Sequence, residues 1–127
     1  MGVKRLIVVA VLFLGVAAAT WSITEELEAL KNIRPVIVVY SRAVDDPRAF
    51  EFNLAVSTDW LQVEQLDLAI IDVIPGVYDV DVVAEVLDIE RYDFAVLLFD
   101  IDGERLFLSD RSDCLPELLE VMYDQGG

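Results

Sequence analysis

The residues best placed for chemistry lie in the stretch SRAVDDPRAF at positions 41–50, between an apolar run and a helix-like pattern. Arg42 and Arg48 flank the expected start of that helix, where backbone N–H groups and the helix dipole favour an anion. Asp45 and Asp46 compete for the same position, because an aspartate just before a helix accepts hydrogen bonds from those N–H groups. The pattern therefore favours a helix cap, with an anion-binding corner as the alternative.

Thiol and imidazole chemistry is limited by composition, because the chain has one cysteine, Cys114, and no histidine. One cysteine excludes an intramolecular disulfide, and the lack of histidine excludes Ser-His-Asp and Cys-His arrangements and nearly every familiar zinc site. Cys114 stands near the predicted start of the last helix, where the dipole favours a thiolate, but Asp110 and Asp113 oppose a negative sulfur. We expect a structural cysteine, with a reactive thiol as the alternative.

The segment DIDGE at 100–104 resembles a fragment of a calcium-binding loop. Such a loop needs a glutamate at its twelfth position, and counting from Asp100 the twelfth residue is Arg111. A two-residue hairpin turn at Asp102 and Gly103 explains the segment without a metal, and it would place Asp100 opposite Arg105. We expect no metal site and no cofactor, and weak cation binding by the acidic surface is the alternative.

The chain starts with a basic MGVKR, followed by fourteen apolar or small residues and an Ala17-x-Ala19 site. These three parts are typical of a secretory signal peptide. An uncleaved anchor is the alternative, but fourteen helical residues reach only about 21 Å, which is short of a hydrocarbon core of about 30 Å. We predict a signal peptide over residues 1–19, one domain over residues 20–127, and a periplasmic or secreted location.

The charge of the chain limits its partners. The formal net charge of −15 becomes −17 when Lys4 and Arg5 leave with the signal peptide. Nucleic acid and anionic membranes need lysine or arginine to neutralise their phosphates. We therefore expect no nucleic-acid partner and no membrane association after cleavage, which leaves a protein as the candidate partner.

Hydrophobic periodicity predicts the first elements. Ser22 and Glu25 form a capping-box pattern for a short helix, the run from Pro35 to Ser41 is typical of a strand buried on both faces, and a helix is predicted from Arg48 to about Val63. The predicted buried face of this helix comprises Ala49, Phe52, Val56, Trp60 and Val63. A second apolar stripe is explained by a broad buried face or, alternatively, by a partner-binding patch; it comprises Phe50, Leu54 and Leu61.

The second half of the chain continues the alternation. A buried strand is predicted from Leu66 to Val73, and a helix begins at Asp79. The apolar runs FAVLLFD and ERLFLSD then form a hairpin, and a final helix is capped by Ser112 or Asp113.

The order helix, strand, helix, strand, helix, strand, hairpin strand, helix is that of the thioredoxin fold. We predict an α/β, three-layer sandwich with a mixed sheet of about four strands and helices on both faces. The two βα crossovers predict parallel pairing of the first strands, and the hairpin adds an antiparallel edge. Thioredoxin-type exchange needs thiols at the start of the helix after the first strand. The stretch at 41–50 has none, which excludes a dithiol oxidoreductase.

Three segments resemble the family known as DUF4174, a thioredoxin-like domain of unknown function. They are IRPVIVVYSRAVDDPRAFEFN at 33–53, LDLAIIDV at 66–73 and YDFAVLLFDIDGERLFLS at 92–109. The resemblance implies an exported domain without an established shared activity. The residues at its matching positions are Arg34, Asp46, Pro47, Arg48, Asp102 and Gly103.

Taken together, these features predict an exported, small thioredoxin-like domain that acts as a non-catalytic binding or structural module of the periplasm or cell envelope. The alternative is a single-cysteine, thiol-dependent enzyme, similar to a peroxidase or a reductase, that uses Cys114.

Overall fold

The structure, a computed structural model, describes residues 21–126. The predicted signal peptide at 1–19 lies outside the described residues. The helices are α1 (Ile23–Leu30), α2 (Pro47–Thr58), α3 (Trp60–Gln65), α4 (Val80–Leu87) and α5 (Leu115–Gly126), and the strands are β1 (Val36–Ser41), β2 (Ala69–Val73), β3 (Phe94–Phe99) and β4 (Arg105–Ser109).

The four strands form one mixed sheet in the order β2-β1-β3-β4. β1 runs parallel to β2 and antiparallel to β3, and β3 and β4 form the predicted hairpin. Every residue of β1 is buried, as expected for a central strand whose side chains are β-branched or aromatic in all but its last residue, Ser41. The predicted α/β sandwich, with a mixed four-stranded sheet and helices on both faces, is confirmed.

The direction of β3 corrects one prediction, since parallel pairing was expected for the strands joined by helical crossovers. The connection after β2 leaves from Val73, and β3 begins at Phe94, which pairs with Ser41 at the carboxyl end of β1. Both ends of the connection therefore lie at the same end of the sheet. A chain that re-enters where it left must run antiparallel to the strand it left.

Side chains along the strands alternate between two separate hydrophobic cores. Ile37 and Val39 of β1 face a core that is closed by α2, α3 and α5, while Val36, Val38 and Tyr40 face a core closed by α1 and α4. Because successive strand side chains point to opposite faces, a continuous apolar run fills both cores at once. The helices thus form the two outer layers of the sandwich.

The long helix predicted from Arg48 to Val63 is interrupted at Asp59, whose backbone leaves the helical region and separates α2 from α3. Its predicted inner face is confirmed: Phe52, Val56 and Val63 are buried, and Ala49 and Trp60 pack against them. The explanation favoured for the second apolar stripe, a broad buried face, is wrong. Only one side of α2 and α3 meets the sheet, so its members are exposed to solvent: Phe50, Leu54 and Leu61.

The hairpin between β3 and β4 has a three-residue loop instead of the predicted two-residue turn. Arg105 pairs with Phe99, and the Asp100 N–H donates to the Glu104 carbonyl, so Asp100 does not lie opposite Arg105. Of the two turn residues only Gly103 has a positive φ, of 88°. Asp100 Oδ1 accepts hydrogen bonds from the backbone N–H groups of Asp102 and Glu104, which explains the carboxylate as a turn-former.

A half-buried acid joins α1 to the turn before α4. Tyr78 Oη donates to Glu26 Oε1 at 2.6 Å, and Glu26 Oε2 is buried without a hydrogen-bond partner. Burial raises the pKa of Glu26, because desolvation disfavours its charged form more than the tyrosine hydrogen bond favours it.

The raised pKa fixes a pH dependence. A folded state that holds the Glu26 proton more tightly loses stability as pH rises from the ordinary value of 4.5 through the raised one. We expect Glu26→Gln to gain stability relative to wild type between pH 4 and pH 8 in urea unfolding, and Glu28→Gln on the exposed side of α1 is the matched control variant. A pH-independent difference for Glu26→Gln would contradict this assignment.

Candidate functional site

The corner at 41–50 lies at the carboxyl end of β1, where the chain turns into α2. Asp46 is the N-cap, with extended backbone angles, and its Oδ1 accepts a hydrogen bond from the Arg48 N–H at 2.9 Å. Pro47 follows as the first helical residue, where its missing N–H costs nothing. The predicted capping role is confirmed for Asp46, and Asp45 lies exposed beside it.

Arg48 is held by the same carboxylate. Its Nε and Nη2 donate to the two oxygens of Asp46 at 3.0 and 2.7 Å, and its guanidinium lies 5.3 Å from the Phe94 ring centroid. The Asp46 side chain is only 7% exposed, and the hydrogen bond from Arg48 lowers its pKa. A planar, bidentate pair of this kind is among the stronger hydrogen-bonded ion pairs.

Arg42 points to a different carboxylate. Its Nη1 donates to Asp81 Oδ1 at 2.6 Å, at the start of α4, and its backbone N–H donates to the Asp93 carbonyl at 2.8 Å. Both corner arginines are therefore already paired with acids. The structure brings Asp46 and Arg48 together but sends Arg42 towards α4, which disfavours a shared anion site.

The cap makes a specific stability prediction. Asp46→Ala is expected to lower the free energy of unfolding by about 1–2 kcal/mol at pH 7, because the helix loses its cap and Arg48 loses its partner. Asp45→Ala, the matched control, should cost less than about 0.5 kcal/mol. Because the pKa of Asp46 is lowered from 3.8, its contribution is present above that pH and disappears as pH falls through the lowered value. Equal losses for the two variants in urea unfolding would contradict the assignment.

Beside the cap lies an open groove of about 350 Å³, between the loop before α2, the first half of α2 and the end of β2. We call it the α2 groove and define it by Val44, Asp45, Phe50, Asn53, Asp72 and Ile74. Its lining mixes exposed apolar side chains with carboxylates. Among the described residues, no lysine or arginine lines it.

Asp72 is the unexpected member of the groove. It pairs with Val39 across the sheet, and the Asn53 amide on α2 donates to its Oδ1 at 3.2 Å. Desolvation raises its pKa more than this hydrogen bond lowers it. Neither Asn53 nor Asp72 was predicted from the sequence, although an aspartate inside the apolar run LAIIDV was a signal that one strand position meets an opening.

Cys114 is fully buried in the core beneath α5. Burial raises its pKa to about 11, and the hydrogen bond with the Ser109 side chain only partly opposes that effect. The predicted caps Ser112 and Asp113 are wrong, because α5 begins at Leu115 and the Cys114 carbonyl accepts the first helical hydrogen bond from Leu118. The Ser112 hydroxyl instead donates a hydrogen bond to Glu51, and the Asp113 carboxylate accepts one from Arg111.

Within residues 21–126, no three His, Cys, Asp or Glu side chains gather closely enough to hold a metal ion. None of the helices in that part of the chain has the length and apolar content needed to cross a bilayer.

Comparison with known proteins shows a similarity of fold. No protein-family model and no curated protein matches the chain. Among solved structures, it is similar to the reduced 2-Cys peroxiredoxin of Plasmodium vivax, with a TM-score of 0.58 and 10% identity over 79% of this chain and 82% of that one. At this identity the similarity concerns the fold alone. The chain and that peroxiredoxin share the thioredoxin-like fold.

Proposed function

We propose that this chain is an exported, non-catalytic binding module of the periplasm or cell envelope, and that it binds its partner at the α2 groove. The observation that carries the proposal is the composition of the corner. At the position where thioredoxin-type exchange needs a thiol, this chain has a capped helix start beside an open groove of mixed apolar and acidic lining. Such a surface can bind but has no group suited to exchange.

The state of the thiol supports the non-catalytic part. A nucleophilic cysteine must be accessible and must ionise near neutral pH. Cys114 is fully buried, and its pKa is raised to about 11. The alternative, a peroxidase-like or reductase-like enzyme that uses Cys114, requires an opening of the α5 side of the core.

We also propose that the chain is a member of the DUF4174 family. The residues at the matching positions support this membership because they form turns and caps in the structure, as expected for a family without a shared activity. Arg34 donates from Nε and Nη2 to the Asp67 carbonyl and carboxylate at 3.1 and 2.9 Å. The others form the α2 cap and the β3–β4 turn: Asp46, Pro47, Arg48, Asp102 and Gly103.

Site-specific photo-crosslinking in the producing cells tests the proposed function. A photoreactive amino acid at position 50 should give a discrete crosslinked species in the envelope fraction, and the exported chain should have lost about its first 19 residues by mass. The matched control is position 33, because Ile33 is also an exposed apolar residue but lies outside the groove. Retention in the cytoplasm, or identical crosslinking from both positions, would overturn the proposal.

A further inference from the structure

We propose that the α2 groove binds a peptide segment in which apolar side chains stand next to lysine or arginine. This inference rests on the proposed binding function and specifies the chemistry of the partner. The occupant is a basic, apolar segment of another protein. Shape, apolar exposure and charge each contribute to the argument.

The groove exposes apolar side chains together. Val44 is 77% exposed, Phe50 70% and Ile74 43%, and all three line the same concavity. Single exposed apolar side chains are common on protein surfaces, whereas a concave cluster is typical of a binding site. A volume of about 350 Å³ lies within the range of ligand clefts and can accept a few side chains.

The charge of the groove selects a cation. Asp45, Asp46 and Asp72 line it, and among the described residues no lysine or arginine does. Asp46 is already paired with Arg48, and Arg42 is paired with Asp81, so neither corner arginine is paired with Asp45 or Asp72. A lysine or arginine brought by the partner would therefore be the first cation to reach these two acids, and an acidic partner would be repelled.

The apolar surface extends beyond the groove. Leu54 is 56% exposed and stands four residues after Phe50, so the two side chains are neighbours on the outer face of α2. A free small cation would leave this surface uncovered, whereas a peptide could cover it. A second copy of this chain is also a poor occupant, because the formal net charge of −15 opposes self-association.

Nuclear magnetic resonance titration of the mature chain with three synthetic peptides tests the inference. The peptides are LKLKLKL and the same sequence with every lysine replaced by glutamine or by glutamate. The lysine peptide should shift the resonances of Asp45, Phe50 and Asp72 and bind at least about fivefold more tightly than the glutamine peptide. Its affinity should fall as sodium chloride is added.

Variants locate the binding. Phe50→Ser should raise the dissociation constant of the lysine peptide at least about tenfold, because a large apolar contact is lost. Asp72→Asn should raise it about two- to fivefold and weaken the salt dependence. Ile33→Ser, the matched change outside the groove, should leave it unchanged.

Three results would overturn the inference. One is equal or tighter binding of the glutamine or glutamate peptide. Another is absence of groove shifts with millimolar lysine peptide. The third is spermidine shifting the same resonances with the same affinity, which would assign the groove to a free polyamine. If position 50 still crosslinks in cells, any of these results contradicts only the proposed chemistry of the partner. Loss of that crosslink contradicts the proposed binding function itself.

Discussion

Phe52→Ala is expected to lower the free energy of unfolding by about 3–5 kcal/mol, whereas Phe50→Ala should change it by less than about 0.5 kcal/mol. The two residues lie two positions apart on α2, so they point to opposite sides of the helix. Phe52 is completely buried in the core that α2 shares with α5, and Phe50 is 70% exposed at the α2 groove. Only the first truncation leaves a cavity.

Urea unfolding of both variants checks this prediction, with the slope of the transition as the control for a two-state comparison. Similar losses for the two variants would mean that α2 is rotated about its axis from the orientation described. The same pair separates stability from binding, because Phe50→Ala should leave the fold intact while it weakens attachment of a partner at the groove.

The Cys114 thiol is expected to react with an aromatic disulfide reagent at least about 100-fold more slowly in the folded chain than in the unfolded chain at pH 7.5. The rise in pKa from 9.0 to about 11 alone lowers the thiolate fraction by about that factor. Complete burial adds a requirement for local opening.

Stopped-flow absorbance in buffer and in concentrated guanidinium chloride measures the two rates. Ser109→Ala provides a control, because removing the hydroxyl that lowers the pKa of the thiol should slow the folded reaction further. A folded rate within about tenfold of the unfolded rate would show that the sulfur is accessible, and it would favour the thiol-dependent enzyme.

Much of the fold could be predicted because single elements carry strong local signals. The apolar run at β1 predicts a central strand, and the Asp46-Pro47 pair predicts the start of α2, because each depends only on neighbouring residues. The inner face of α2 follows from helical spacing in the same way. Its second stripe could not be assigned, because periodicity alone does not tell how much of a helix the sheet covers.

Strand direction and hairpin register depend on contacts between distant residues. The antiparallel direction of β3 follows from its entry opposite Ser41, which local periodicity does not encode. In the hairpin, the Asp100 carboxylate binds the backbone of the loop, and this favours three loop residues where the Asp-Gly pair predicted two.

The candidate site was predictable in part for the same reason. The corner residues Asp45, Asp46 and Arg48 are consecutive or nearly so, and their grouping is local. Asn53 and Asp72 meet only because the pairing of β2 with β1 brings position 72 beneath α2. A groove between two elements therefore cannot be predicted from either segment alone, even when one of its residues is unusual for its strand.

Turnover tests most directly the proposal that this thioredoxin-like chain binds a partner without catalysing thiol chemistry. The measurement is the consumption of hydrogen peroxide, and separately the reduction of a small disulfide, by the purified chain in the presence of dithiothreitol. Wild type and Cys114→Ser are compared with a blank without protein. We predict that both chains match the blank. Turnover by wild type that is lost in Cys114→Ser would contradict the account and identify the chain as a single-cysteine enzyme.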